Sequence, residues 1–266
     1  PSIPMMVASE PGPRQAAADA DAAVARLHAS TIAYTKDVIR RWVFRESLNN
    51  RWQHISRAYV TRTNELSAYT DLKNGTTATP AGTPVYVAQD GLTLEFGDTV
   101  DLNTSLAGIY GAANVDSCVV GIFVTAVADI VGFYYLTDAD PWSSELIIGG
   151  RAGKAASNWL GGAVGPTESA YAESKMVGQL VQVQSAVGSG AGYSLLSFGD
   201  GDTAILAPMS TPQTALATQV WVNDHFNAAN SCTQTWGMSY VASNSLDFAG
   251  FAASTATMME ELESTS

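Results

Sequence analysis

The apolar positions of this chain change their rhythm near residue 74. Between residues 15 and 48 they recur at Val24, Leu27, Tyr34, Val38 and Trp42, with Thr31 filling one slot, so the steps are 3, 4, 3, 4 and 4. Residues at such spacing share one face of a helix. Abundant alanine favours helix, and Asp19 and Asp21 suit its positive N-terminal end. The pattern predicts one long amphipathic helix over 15–48, weakly interrupted at Asn49-Asn50. It predicts a second helical stretch carrying Trp52, Ile55, Tyr59, Leu66 and Tyr69, stopped by Asn74-Gly75.

Beyond residue 84 the runs shorten. Val85–Phe96 reads as a hairpin, because the VYVAQ and LTLEF segments flank Asp90-Gly91, a pair suited to a type I′ turn. A short helix is expected at Ser105–Asn114 and a short strand at Glu145–Ile148. Cys118–Leu136 is almost continuously apolar. It divides around Ala128-Asp129 and reads as a buried hairpin or core helix, since Asp129 would be costly at the centre of a membrane. Asp138-Ala139-Asp140-Pro141 reads as a turn and Arg151–Leu160 as a short helix. Glu168–Val183 reads as helix giving way to strand. The runs 188–192 and 199–202 are glycine turns. Thr214–Asn230 and Ser243–Glu263 look mostly helical, with Pro212 ahead of the first. The predicted fold class is α+β and helix-rich: long N-terminal amphipathic helices followed by a mixed body with short β-hairpins.

This division also organises the chain. Residues 1–14, with Pro1, Pro4, Pro11 and Pro13, form an extended arm of the kind that lies across a neighbouring subunit or frays. Residues 15–73 form a helical segment, 74–84 a Thr/Pro/Gly linker and 85–266 a mixed body. The body either stands alone or completes one domain with 15–73.

Charge sharpens the boundary. Ten of the thirteen Lys and Arg residues lie in the first 73 positions with seven acids, a net of +3; the remainder holds three bases and eighteen acids, a net of −15. The basic end therefore meets a polyanion, or else the acidic remainder of its own or a neighbouring chain. Charged residues make up only 14% of the chain, against about 25% in a typical globular protein. A surface so poor in charge suits a subunit covered by copies of itself, although a secreted or halophilic monomer has a similar composition.

Motifs for catalysis are lacking. The GSGAG run at 188–192 is followed by Tyr193 where a dinucleotide loop needs its third glycine. No Walker lysine and no Gly-x-Ser-x-Gly elbow occur. His28, His54 and His225 have no partners at ligand spacing, and Cys118 and Cys232 are too few for a zinc site or disulfide framework. Asp138 with Asp140, and Asp200 with Asp202, lack the later glutamate of a calcium loop and read as turn residues. Asn74 and Asn103 begin glycosylation triplets that read as coincidence without a secretory signal. The expectation is a non-enzyme with no cofactor, no metal and no membrane span.

One constellation remains. Arg40, Arg41, Trp42 and Arg45, followed by Arg51, Trp52 and Arg57, interleave guanidinium groups with aromatic rings. Arg41 and Arg45 flank the apolar stripe, whereas Arg40 points elsewhere. The helix either lies on nucleic acid through weak, sequence-independent phosphate contacts or pairs its arginines with carboxylates of the same or an adjoining subunit.

Taken with the arm Pro1–Pro13, the helix through Arg40–Trp52 and the linker 74–84, this segment resembles the small, helix-rich capsid proteins of fungal and plant double-stranded RNA viruses, the partitivirus- and curvulavirus-like group. The resemblance implies a helix-rich subunit, dimeric building blocks and a closed icosahedral shell around RNA. The protein would then reside in the virion after assembly in the host cytoplasm. Three alternatives stand beside it. They are a bacteriophage structural protein, a cellular nucleic-acid-binding module, and an enzyme with a pocket around His225, Asp138 and Asp140.

Overall fold

Antiparallel sheets, not helices, dominate this chain. The computed structural model describes residues 12–88, 90–95, 97–111, 118–127, 135–136, 145–151, 154–159, 168–186, 192–209, 219–223 and 233–264. Among them lie fifteen strands and four α-helices. The expectation of a helix-rich α+β subunit is therefore corrected to a mostly β, sandwich-like architecture with helices on one face.

The chain enters through α1 (Pro13–Ala25) and α2 (Ala33–Leu48). The single helix expected over 15–48 is thus two, separated by a tight connection around His28 and Thr31. That connection is fixed by the Ser67 side chain, which accepts from the His28 N–H and bonds the Thr31 hydroxyl, each at 2.8 Å. Asn50, at φ 59°, ends the second helix in the left-handed conformation common just past a helix C-terminus.

The second helical stretch is not a helix. A single 3-10 turn, Trp52–His54, leads into β1 (Ile55–Val60). Its spacing misleads because both faces of the strand are covered. Tyr59 enters one core while Ala58 and Val60 enter the other, so apolar residues fall on consecutive positions. The segment 74–84 carries β2 (Thr79–Ala81). The expected hairpin follows as β3 (Val85–Val87) and β4 (Gly91–Leu94), paired antiparallel. Next come β5 (Thr99–Ser105), the short helix α3 (Leu106–Tyr110) and β6 (Cys118–Val127).

The later strands are β7 (Tyr135–Leu136), β8 (Glu145–Arg151), β9 (Lys154–Trp159), β10 (Glu168–Ala172), β11 (Leu180–Ala186), β12 (Gly192–Phe198), β13 (Thr203–Met209), β14 (Gln219–Val222) and β15 (Gln234–Ser243). The helices expected within Arg151–Leu160, at the start of Glu168–Val183 and across Gln219–Val222 are strands instead. The last element is α4 (Phe248–Glu263), which occupies most of the expected C-terminal helix. Of the arm expected over 1–14, residues 1–11 lie outside the described residues, while Pro13 and Arg14 are not extended but open α1. The turn at 138–141 and residues 188–191 of the glycine run also lie outside, and Gly192 opens β12.

The large sheet runs β13-β12-β11-β6-β15-β4-β3, with β1 also paired to β15. Strand β15 holds it together. One edge pairs with β6 along its length, while the other is shared by β4 at Gln234–Trp236 and β1 at Met238–Ala242. A register shift around Gly237 turns the strand, so Trp236 faces one core and Met238 and Tyr240 face the other. Two smaller sheets, β10-β9-β8 and β2-β5-β14-β7, complete the β structure.

Two cores result. Val120, Ile122, Val124, Val181, Val183 and Trp236 pack with Val100, Leu102, Val220 and Val222 of the smaller sheet. On the opposite face Val119, Phe123, Leu180 and Tyr240 pack with Val38, Trp42, Phe251 and Met258 from the helices. Strand β6 is covered on both sides, which accounts for its unbroken apolar sequence.

Candidate interaction surface

Helices α1 and α2 lie side by side because Ala16, Ala20 and Ala23 give α1 a smooth, buried face. Alanine allows close approach, but at one flank it leaves space beside larger neighbours. There the helices enclose an open groove of about 490 Å³, lined by Ala17, Ala20 and Asp21 of α1 and by Arg40, Arg41, Phe44, Arg45 and Leu48 of α2. Its floor is apolar, and Leu48 is 37% exposed. Phe44 and Leu48 stand one helical turn apart, as do Arg41 and Arg45, so an apolar row and a basic row run side by side.

The predicted constellation is divided by the fold. Arg40, Arg41 and Arg45 all line this groove, so Arg40 does not point elsewhere, contrary to the expectation from spacing. Arg40 pairs with Asp21 across the helix pair at 3.0 Å. Arg41 pairs with Asp37 on its own helix and with Glu261 of α4 at 2.6 Å. Arg45 has no carboxylate partner among the described residues.

The other members sit inside. Trp42 is 1% exposed and meets Trp52 edge-on, with ring centroids 5.7 Å apart, and Phe251 at 5.8 Å. Trp52 is also buried, and Lys73 Nζ lies 4.8 Å from its ring centroid. Neither ring presents a face on which a base would stack. Arg51 is buried against Glu46, donating from Nε at 2.6 Å and from Nη2 at 3.1 Å, with a further bond from Nη1 to Asp247 at 3.3 Å. These carboxylates, Glu46 foremost, push the Arg51 guanidinium above its ordinary pKa. Arg57 lies 3.6 Å from Asp71, which is fully buried and accepts from the Ala58 N–H at 3.0 Å and the Lys73 N–H at 2.9 Å.

The charge polarity of the sequence is therefore answered partly within one chain. Arg41, Arg51 and Arg62 of the basic segment meet Glu261, Asp247 and Glu263 at the two ends of the C-terminal helix. Arg62 also donates to the Met259 carbonyl at 3.0 Å, near the C-terminal end of α4.

The residues considered for other chemistry have structural partners. Lys175 Nζ sits between Asp200 at 2.5 Å and Asp202 at 2.7 Å. The Asn74 and Asn103 side-chain amides are held by the Ser56 carbonyl at 2.7 Å and the Thr79 hydroxyl at 2.8 Å. Among the described residues no cluster of three or more His, Cys, Asp or Glu is placed to hold a metal ion, and no helix is long and apolar enough to cross a membrane. Asp138, Asp140, His225 and Cys232 lie outside the described residues.

Ala17, Asp21, Phe44 and Leu48 did not stand out in the sequence. The signal was the Phe44–Leu48 pair, set off from the Val38–Trp42 stripe; recognising it needed the antiparallel pairing of α1 with α2.

No protein-family model matches the chain, and no curated protein matches it in sequence. Solved structures do resemble it. The HCR/D W1238A mutant superposes with a TM-score of 0.52 at 12% identity over 80% of this chain and 52% of that one. The chain thus spans about half of that structure's length, and the likeness is one of fold. Domain 4 of AbnA, an extracellular arabinanase from Geobacillus stearothermophilus solved with arabinotriose, gives 0.48 at 12% identity over 74% of this chain and 98% of that one. A tail fiber protein from an E. coli phage gives 0.33 at 13% identity over 48% of this chain and 15% of that one. These last two likenesses are too distant to carry an argument about this chain.

Proposed function

We propose that this protein is a structural subunit of a virus particle, of the bacteriophage kind, that assembles with copies of itself and has no catalytic task. The observation that carries the proposal is the open groove between α1 and α2, an exposed apolar floor rimmed by Arg40, Arg41 and Arg45. Exposed apolar surface framed by polar groups is characteristic of a site that another protein covers. A chain of net charge −12, with its bases concentrated at one end, supplies complementary surface on every copy of itself.

The double-stranded RNA shell family implied a helix-rich subunit. With that expectation corrected, the reading passes to bacteriophage structural proteins, where a β-built subunit raises no conflict. Weak RNA contact draws little support from the groove, since Arg40 and Arg41 already face carboxylates. Native mass spectrometry of the unmodified chain and of Leu48→Asp tests the proposal. Leu48 is partly exposed on the groove floor, and circular dichroism checks that the variant keeps its fold. The expected result is oligomers for the unmodified chain and a 27.9 kDa monomer for the variant. Equal oligomers from both would remove the groove from the account.

A further inference from the structure

We infer that the groove between α1 and α2 receives the N-terminal arm, residues 1–11, of a neighbouring copy, with Glu10 of that arm set against Arg45. The inference rests on the reading of the chain as a self-assembling subunit and names the segment that fills the site.

Composition matches the two surfaces. The arm carries Ile3, Met5, Met6 and Val7 among prolines, and Glu10 is its only charged side chain. The groove offers Ala17, Phe44 and Leu48 as an apolar floor and Arg45 as a cation without a carboxylate among the described residues. A proline-rich segment favours extended backbone and has little conformational freedom to lose on docking. Methionine adapts its shape to an irregular apolar surface.

Geometry selects a neighbour over the arm's own groove. Gly12, at the start of α1, has φ −70° and ψ 166°, an extended conformation. It lies between Pro11 and Pro13, and a residue before proline is held in the extended region. Gly12 is thus extended at the very start of α1, whereas the groove lies further along the helix, at Ala17–Asp21, so an arm would have to fold back to reach its own groove. Eleven residues of extended, proline-rich chain reach roughly 30 Å at about 3.1 Å each, enough to cross onto an adjoining subunit.

Charge reversal tests the pairing in the full-length chain. Glu10→Arg and Arg45→Glu are each made alone and then together, and the self-association constant is measured by sedimentation equilibrium, with circular dichroism as the check on folding. Each single reversal sets like charges opposite one another and is expected to weaken association by about tenfold; the double reversal should recover most of that loss. A synthetic peptide of residues 1–11 in excess should compete with assembly, and the same peptide carrying Glu10→Arg should not. If the unmodified chain associates but is indifferent to both single reversals and to the peptide, the groove has another occupant. The arm assignment is then overturned while the assembly reading stands. If the unmodified chain is monomeric at every concentration, both fall.

Discussion

Replacing Arg51 with leucine leaves the Glu46 carboxylate buried without its counter-ion. In the folded protein Glu46 is 0% exposed and Arg51 8% exposed, and the two are joined by a bidentate pair of hydrogen bonds. Removing one partner of such a pair costs about 3–5 kcal/mol, because the remaining charge has lost its compensation inside a low-dielectric core. The same guanidinium ties the end of α2 to Asp247, which caps α4 by accepting from the Gly250 N–H. For a chain of this size the loss corresponds to a fall in thermal midpoint of roughly 10 °C. The double variant Glu46→Leu/Arg51→Leu removes both charges and should be more stable than either single variant. Arg40→Ala, which breaks only an exposed pair with Asp21, should change stability by less than about 1 kcal/mol. Urea unfolding of these variants beside the unmodified chain measures all of this. If Arg51→Leu unfolds within about 1 kcal/mol of the unmodified chain, the buried pair is not holding the helical layer. The basic-aromatic segment would then have to be explained by something outside the chain.

Two further predictions concern the large sheet and its pH response. Gly121 on β6 faces the Tyr240 ring so closely that a Cβ there would overlap ring carbons. That ring is fixed by the Tyr240 hydroxyl donating to Gln182 at 2.8 Å and by an edge contact with Phe251. Gly121→Ala should therefore destabilise the fold by about 1–3 kcal/mol in urea unfolding, and an unchanged midpoint would show that the ring moves freely. Burial, and secondarily the nearby Lys73 charge, lower the His54 pKa below its ordinary 6.5. The unfolded chain then binds the proton more readily than the folded one, so stability falls as pH drops below about 6.5. His54→Asn should flatten that part of a stability-against-pH curve, and an unaltered slope would assign it to other groups.

Much of the helical layer was legible in the sequence. The stripe Val38–Trp42 lies where its spacing placed it, and Asn50 ends α2 with the left-handed conformation asparagine tolerates. The hairpin within Val85–Phe96 was also legible from its two apolar runs, but its turn is not the expected two-residue Asp90-Gly91 turn, since Gly91 already pairs with Val87 as the first residue of β4. What misled was burial on two sides. The series Trp52, Ile55, Tyr59, leading into β1, has helical spacing, yet the strand sits between two cores and its rhythm reflects what packs on each face. Strand β6 was ambiguous for the same reason. The candidate site was half visible. Arg41 and Arg45 could be placed beside the apolar stripe, but Arg51, Trp42 and Trp52 proved internal, and charge pattern alone does not tell a buried guanidinium from an exposed one. Which carboxylates would answer the arginines depended on contacts as distant in sequence as Arg41 with Glu261.

The proposed self-association is read from the mass of the chain in solution. Sedimentation velocity of the unmodified chain over about a hundredfold range of concentration should show species much heavier than the 27.9 kDa subunit, growing as concentration rises. A single sharp boundary at the subunit mass throughout that range would contradict the account.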